Sequence, residues 1–265
     1  MKVTEEKLWE NTPGMCEEIP TLTAYIPEKM THDSAIIIFP GGAYCRRAEH
    51  EGKGYAEFLA RNGFLSFVCA YRVAPHKFPL PLLDARRAVR LVRKKAAEYG
   101  ISKDKIAVMG SSAGGHLAAL VSTYYEPVDF EGTDDTDKEE FIPNAQILCY
   151  PVIKLLGKKT AHLCSGKYLL GDKQAELGEE LSPDLIVSEK TPQAFIWHTF
   201  EDNGVNVINS LDYVKALKEY NIPTECHIFP NGGHGLGLAD GGGKINDHIT
   251  TWKEMLINWL EYINY

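Results

Sequence analysis

The sequence predicts a single α/β domain, a mostly parallel sheet with helices on both faces. Runs such as AIIIF (35–39) and KIAVM (105–109) are apolar on both faces, which suits strands covered from both sides. These runs alternate with amphipathic stretches of helical period, the β-α-β rhythm of parallel sheets. The chain has 265 residues, 44% of them hydrophobic and 24% charged, enough for one large core and too apolar for a disordered chain.

In chain order, strands are expected over residues 21–26, 35–39, 64–71, 105–109, 145–150, 194–199 and 224–229. Each is a short run rich in β-branched or aromatic residues. Helices are expected over 54–61, 82–99, 113–122, 207–220 and 246–262. In 82–99 the apolar Leu82, Ala85, Val89, Val92 and Ala96 recur at helical spacing with Arg and Lys between them. Gly63 and Gly100 follow their helices as stop signals. No helix follows 21–26, so that strand is expected to pair antiparallel with 35–39 through the turn at EKMTHD. Two segments break the rhythm. Residues 124–143 contain EGTDDTDKEE, which reads as a solvated surface loop. Residues 155–192 lack a strand signal and read as a lid-like insertion over the C-terminal edge of the sheet. No repeat, low-complexity linker or second-domain boundary occurs, so residues 1–265 read as one domain.

Twenty-eight basic against 36 acidic residues give a formal net charge of −8. That balance argues against a nucleic-acid partner, which wants a basic face, and against docking on anionic membranes. The start MKVTEEKLWENTPGM has no apolar core of a secretory signal, and no run is long enough to span a bilayer, so a cytoplasmic location is expected. Cys16, Cys45, Cys69, Cys149, Cys164 and Cys226 form no C-x-x-C pair and read as small buried thiols in a reducing compartment. No H-E-x-x-H or other ligand spacing suggests a metal. Gly241-Gly242-Gly243-Lys244 is followed by isoleucine and preceded by no strand, so it reads as a flexible loop rather than a phosphate loop. The oligomeric state is left open.

The sharpest chemical feature is KIAVMGSSAGGHLAAL (105–120). A short apolar strand runs into Gly110-Ser111-Ser112-Ala113-Gly114, a match to G-x-S-x-G, and an Ala/Leu-rich helix follows at once. Turning a strand into a helix with almost no loop strains the serine backbone and lifts its hydroxyl. The residues two before and two after it then come too close for a Cβ. The pentapeptide alone is weak, but the strand–turn–helix context is present. Ser111 is the rival nucleophile, and the glycine spacing puts Ser112 at the apex. Upstream, Pro40-Gly41-Gly42-Ala43 follows another buried strand. Amides reach a substrate oxygen only where side chains are tiny, so Gly42 and Ala43 are candidate oxyanion donors beside the amide of Ala113, while Gly41 permits the turn.

A serine of this kind needs a base and an acid, which in the α/β-hydrolase order follow it along the chain. The strand AFIWHT runs into FEDNGV, offering Asp202 and, less well placed, Glu201. The last strand runs into Asn231-Gly232-Gly233-His234-Gly235, a Gly-rich loop whose histidine can reach back over the sheet. Among the other histidines, His116 and His198 read as packed or hydrogen-bonded, and His227 and His248 show no partner pattern.

The words PGGAY, YRVAP, GSSAGGHLAA, YPVI, WHTFEDNGV and PNGGHGLGLA, in this order, resemble bacterial acetyl esterases of the α/β-hydrolase superfamily. That group includes predicted acetylxylan esterases and is related to the hormone-sensitive lipase group. The resemblance runs from about residue 35 to 260. It implies a sheet of about eight strands, no cofactor, and hydrolysis of short-chain esters, acetylated sugars among them. It maps the nucleophile onto Ser112, the acid onto Asp202, the histidine onto His234 and the oxyanion loop onto Gly41, Gly42 and Ala43. The chain departs from many relatives by carrying Pro and Ala in the oxyanion loop instead of His-Gly-Gly-Gly. It also carries Asp-Asn-Gly-Val-Asn instead of Asp-x-x-Val-Pro in the acid loop. The expected reaction is cleavage of a small acetyl ester, acetylated carbohydrate included, through an acyl-enzyme. The same side chains would suit an aryl formamidase or a small peptidase. A non-catalytic receptor on this scaffold typically lacks the serine or the histidine, and both are present here.

Overall fold

A computed structural model describes residues 1–14, 17–130, 134–157 and 159–265. Its strands are β1 (Lys2–Lys7), β2 (Thr21–Ile26), β3 (Ala35–Phe39), β4 (Leu65–Ala70), β5 (Ile106–Ser111), β6 (Ala145–Cys149), β7 (Gln193–Thr199) and β8 (Thr224–Phe229). Its helices are α1 (Glu49–Arg61), α2 (Leu80–Lys94), α3 (Ala96–Tyr99), α4 (Ala113–Thr123), α5 (Leu163–Leu170), α6 (Gln174–Leu177), α7 (Ile208–Glu219), α8 (Lys244–Ile249) and α9 (Trp252–Tyr262). The strands make one eight-stranded sheet in the order β1-β2-β4-β3-β5-β6-β7-β8. Pairing is parallel from β4 to β8 and antiparallel at β1–β2 and β2–β4.

The pleat divides the apolar strands between two cores. Ile37 of β3 packs in one cluster with Val108 and Leu117, while Ile36 and Ile38 pack in the other with Met109, Trp197 and Trp252. Full burial of β3 and β5 on both faces is why their sequences carry no polar alternation. After β3 the chain forms β4 on one side, then β5 on the other. The loops leaving β3 and β5 therefore diverge, and the crevice between their C-terminal ends is where open α/β sheets bind ligands.

Several expectations need correction. Strand β2 does not pair with β3. It pairs with β1 and β4, because both edges of the wholly apolar β3 are taken by the parallel neighbours β4 and β5. Strand β1 was not foreseen. Its sequence KVTEEK is charged and mostly exposed, as suits an edge strand, and such a strand carries no hydrophobic signal. The helix expected over 82–99 is interrupted at Lys95. The one expected over 246–262 is interrupted at Thr250 and Thr251, whose hydroxyls donate to the carbonyls of Leu238 (3.0 Å) and His248 (2.7 Å) and so compete with regular helix bonding. The acidic 124–143 segment is only partly solvated. Asp134 and Asp137 both accept hydrogen bonds from the buried Arg87 (2.7 and 3.1 Å), while residues 131–133 lie outside the described residues. Cys45 and Cys164 are exposed rather than buried. The described cysteines are free, and Cys16 lies outside the described residues. Among the described residues no helix is long and apolar enough to cross a membrane.

The N-terminal segment is fastened by one buried ion pair. Asp84 on α2 accepts from the Arg72 amide (2.9 Å), Arg72 Nε (2.8 Å) and Nη2 (2.8 Å), and Trp9 Nε1 (3.0 Å). Both charged side chains are fully buried. Asp84→Ala strands the Arg72 charge in the core, so we expect denaturant unfolding to show a loss of about 3–5 kcal/mol.

Candidate active site

The turn after β5 sets the site. Ser112 has φ 53° and ψ −120°, a conformation an L-residue holds only when its surroundings enforce it. Its amide donates to the Cys149 carbonyl (3.1 Å), and its own carbonyl accepts from Val152 (2.9 Å) and His116 (3.0 Å). A Cβ on Gly110 would lie 2.1 Å from the Gly114 carbonyl oxygen, and one on Gly114 would lie 2.0 Å from that of Phe39. The two glycines of the motif are thus needed to let β5, α4 and the end of β3 close upon each other.

Ser112, His234 and Asp202 are brought together. Ser112 Oγ lies 2.8 Å from His234 Nε2, and His234 Nδ1 lies 2.7 Å from Asp202 Oδ2. The carboxylate can only accept, so Nδ1 carries the ring proton and Nε2 accepts from the serine hydroxyl. A Cβ on Gly204 would sit 2.7 Å from His234 Cγ, so the close approach of the imidazole to this loop calls for a glycine there. The amides of Gly204 (2.7 Å) and Val205 (2.9 Å) donate to Asp202 Oδ1. Glu201 is exposed and is not part of this chain of contacts.

A second imidazole contacts Asp202. His198, fully buried at the end of β7, approaches Asp202 Oδ2 (3.2 Å) and the Val205 carbonyl (3.0 Å) through Nε2, and its Nδ1 meets Ser210 (2.8 Å). Burial pushes the Asp202 carboxyl up, but hydrogen bonds from His198 and His234, the His234 charge and the Val205 amide outweigh it. The carboxyl is held below its usual range.

The amides of Gly42, Ala43 and Ala113 meet no protein acceptor among the described residues. For Ala113 this follows from its place at the first position of a helix. Gly42 and Ala43 have φ of 129° and 56°. The Gly41 amide is engaged differently, donating to Glu51 Oε2 (2.9 Å). Glu51, almost wholly buried on α1, accepts from the Tyr150 hydroxyl at Oε1 (2.8 Å), and that hydroxyl accepts from the Gly237 amide (2.9 Å). The Tyr150 ring meets His234 edge-on with centroids 5.2 Å apart. Glu51 and Tyr150 therefore join the loop after β3 to the loop carrying His234. From α1, His50 Nε2 adds a contact to the Gly235 carbonyl (2.9 Å). Glu51 was not foreseen; His198, read from the sequence as packed or hydrogen-bonded, is hydrogen-bonded to Asp202. Glu51 sits in α1 between His50 and Gly52 with Glu49 two residues before it, so no local signal sets it apart.

His116 is fully buried and does not touch Ser112 Oγ. Its Nε2 faces the Leu181 carbonyl (2.8 Å), which can only accept, so Nδ1 accepts from the Tyr44 hydroxyl (2.7 Å). It ties the oxyanion-side loop to the 155–192 segment. His227 pairs with Glu225 (2.7 Å) on the edge strand.

A cavity of about 320 Å³ opens over Ser112, with Gly42, Ala43, Arg46, His162 and His234 on its walls. A larger groove of about 490 Å³, lined by residues such as Phe58, Thr251 and Ile257, has no nucleophile and base facing each other. No group of three or more metal-ligating side chains occurs among the described residues.

Comparison with known proteins agrees with this architecture. Residues 22–217 match the BD-FAE family model. The chain belongs to the BD-FAE family of α/β-hydrolase esterases. This BD-FAE chain is 41% identical to an acetyl ester-xyloside bifunctional hydrolase from Caldicellulosiruptor lactoaceticus. That crystal structure superposes with a TM-score of 0.90 over 98% of this chain and 96% of the other. Endo-1,4-beta-xylanase B of Butyrivibrio fibrisolvens is 35% identical over 91% of this chain, and an acetylxylan esterase of Xylanibacter ruminicola is 30% identical over 91%. The BD-FAE chain spans 39% and 48% of the lengths of these two relatives.

His116 makes fold stability depend on pH. Burial lowers its pKa from 6.5 to about 4 against the opposing Leu181 carbonyl. Between these values the unfolded chain binds the proton and the folded one does not. Stability is therefore full above pH 6.5 and falls as pH drops toward 4, by on the order of 3 kcal/mol. Denaturant unfolding across this window should show that slope, and His116→Gln should flatten it.

Proposed function

We propose that this chain is a serine carboxylesterase for short-chain, chiefly acetyl, esters, with Ser112 as nucleophile, His234 as general base and Asp202 as the orienting acid. The unbroken run of contacts from Ser112 Oγ to His234 (2.8 Å) to Asp202 (2.7 Å) carries this reading, and the esterases among its relatives support it. His234 Nε2 takes the serine proton as Ser112 Oγ attacks the ester carbonyl. Negative charge then grows on the carbonyl oxygen, where the amides of Gly42, Ala43 and Ala113 are free to meet it. Asp202, with His198 at its back, holds the Nδ1 proton in place and stabilises the imidazolium. The imidazolium protonates the departing alcohol, and water activated by the same ring releases the acid and regenerates Ser112. No cofactor takes part in these steps.

For the natural substrate we propose acetylated carbohydrate. Support comes from the relatives named for acetylxylan and for acetyl ester-xyloside substrates. Aryl formamides and small peptides are the competing acyl donors. A panel of aryl acetate, aryl butyrate, aryl formamide, dipeptide and acetylated xylo-oligosaccharide separates them, with the acetates expected to give the highest kcat/KM.

Ser112→Ala should lower ester turnover by at least about 10³-fold while leaving the unfolding midpoint within a degree or so. Retention of turnover in that variant would remove Ser112 from the chemistry. Glu51 touches no reacting atom and acts by positioning. Glu51→Ala should lower kcat by roughly 10- to 100-fold with KM little changed, because the amides it helps place meet the oxygen only as charge develops. Glu51→Gln, which can still accept from the Gly41 amide, should recover part of the loss.

A further inference from the structure

The ring that protonates the departing alkoxide has to face it, so under the esterase reading the alcohol half of the substrate lies on the His234 side of Ser112. One of the side chains that line the cavity with His234 is His162, from the 155–192 segment. It forms a wall of the cavity over Ser112 and also of a neighbouring cavity of about 230 Å³, lined by Thr160, Asn203 and Asn206 beside Asp202.

His162 has a defined tautomer. Its Nδ1 faces the Ser165 amide (3.3 Å) and the Ser165 hydroxyl (2.8 Å) at the start of α5. An amide can only donate, so Nδ1 accepts and the proton of the neutral ring sits on Nε2. Among the described residues no protein acceptor meets that Nε2–H. Burial, and to a smaller extent the His234 charge, lower the ring's pKa against the opposing Asp202, which keeps it a neutral donor. The second cavity is lined almost entirely by polar atoms. A hydrocarbon alcohol would leave them unpaired, whereas a hydroxylated one satisfies them.

We propose that His162 is a specificity-determining residue, donating from Nε2 to a hydroxyl or ring oxygen in the alcohol half of the ester, so that the site selects acetates of polyhydroxy alcohols over acetates of plain alkyl or aryl alcohols. The assignment rests on the esterase reading. It predicts a change in preference, not in the acyl-transfer steps.

The test compares kcat and KM for mono-acetylated xylobiose and for p-nitrophenyl acetate in the wild type, His162→Leu and His162→Gln. In His162→Leu, kcat/KM for the disaccharide ester should fall about tenfold, the loss of one neutral hydrogen bond, mainly through KM. The value for p-nitrophenyl acetate should stay within about twofold. His162→Gln, which offers a donor near the Nε2 position, should regain most of the lost preference. Should the leucine variant fail to fold, His162→Asn keeps an acceptor toward Ser165, lacks the Nε2 donor and must show the same selective loss. An equal loss on both esters, or an unchanged ratio, overturns the role of His162 while leaving the esterase reading in place. Wild-type protein that cleaves neither ester overturns both.

Discussion

The left-handed backbone at Ser112 is the constraint on which the rest of the site depends. Only with φ near 53° does the hydroxyl leave the buried end of β5 and face His234. A conformation of this kind costs on the order of 1–3 kcal/mol. It persists because Gly110, Gly114 and the end of β3 sit in contact that no Cβ would permit, and because β5 and α4 are buried along their whole length. Releasing the strain would mean pulling two core elements apart. The sheet's central packing and the exposure of one hydroxyl are therefore the same structural fact.

Around that turn, loops from distant parts of the chain are held by buried polar groups. Glu51 and Tyr150 connect the Gly41 amide to the Gly237 amide. His116 connects Tyr44 to Leu181. His198 stands behind Asp202. Each polar atom is matched, which is what makes such networks stabilising inside a protein. Under the proposed esterase reading their common effect is preorganisation: amides and imidazole are set in place before any substrate arrives, so little reorganisation is left for the reaction. The segment between β6 and β7 enters this arrangement twice, through Leu181 at the back and His162 at the mouth.

Legibility followed the range of the interactions. The serine turn was readable because its cause is local, with strand, glycines and helix all lying within a dozen residues. His234 and Asp202 were readable from chain order and Gly-rich context, although their meeting depends on the packing of β7 and β8. Glu51 looked like one more acid on a helix, since nothing near it in sequence announces that a loop amide and a tyrosine will point at it. His162 lay in a stretch with no periodic signal. The charged strand β1 gave no hydrophobic pattern, and the pairing of β2 with β4 depended on which neighbours β3 would take.

By itself the sequence determined the α/β class, the apolar central strands, the strained serine and the glycines that permit it, because these follow from side-chain volume, backbone freedom and burial within short windows. Tertiary structure alone decided the strand order at the edge, the second imidazole behind Asp202, the Glu51–Tyr150 link between loops, and the free N–H of His162 at the cavity wall. Those depend on contacts between residues tens of positions apart, and hydrogen bonds of that reach leave no periodic trace along the chain.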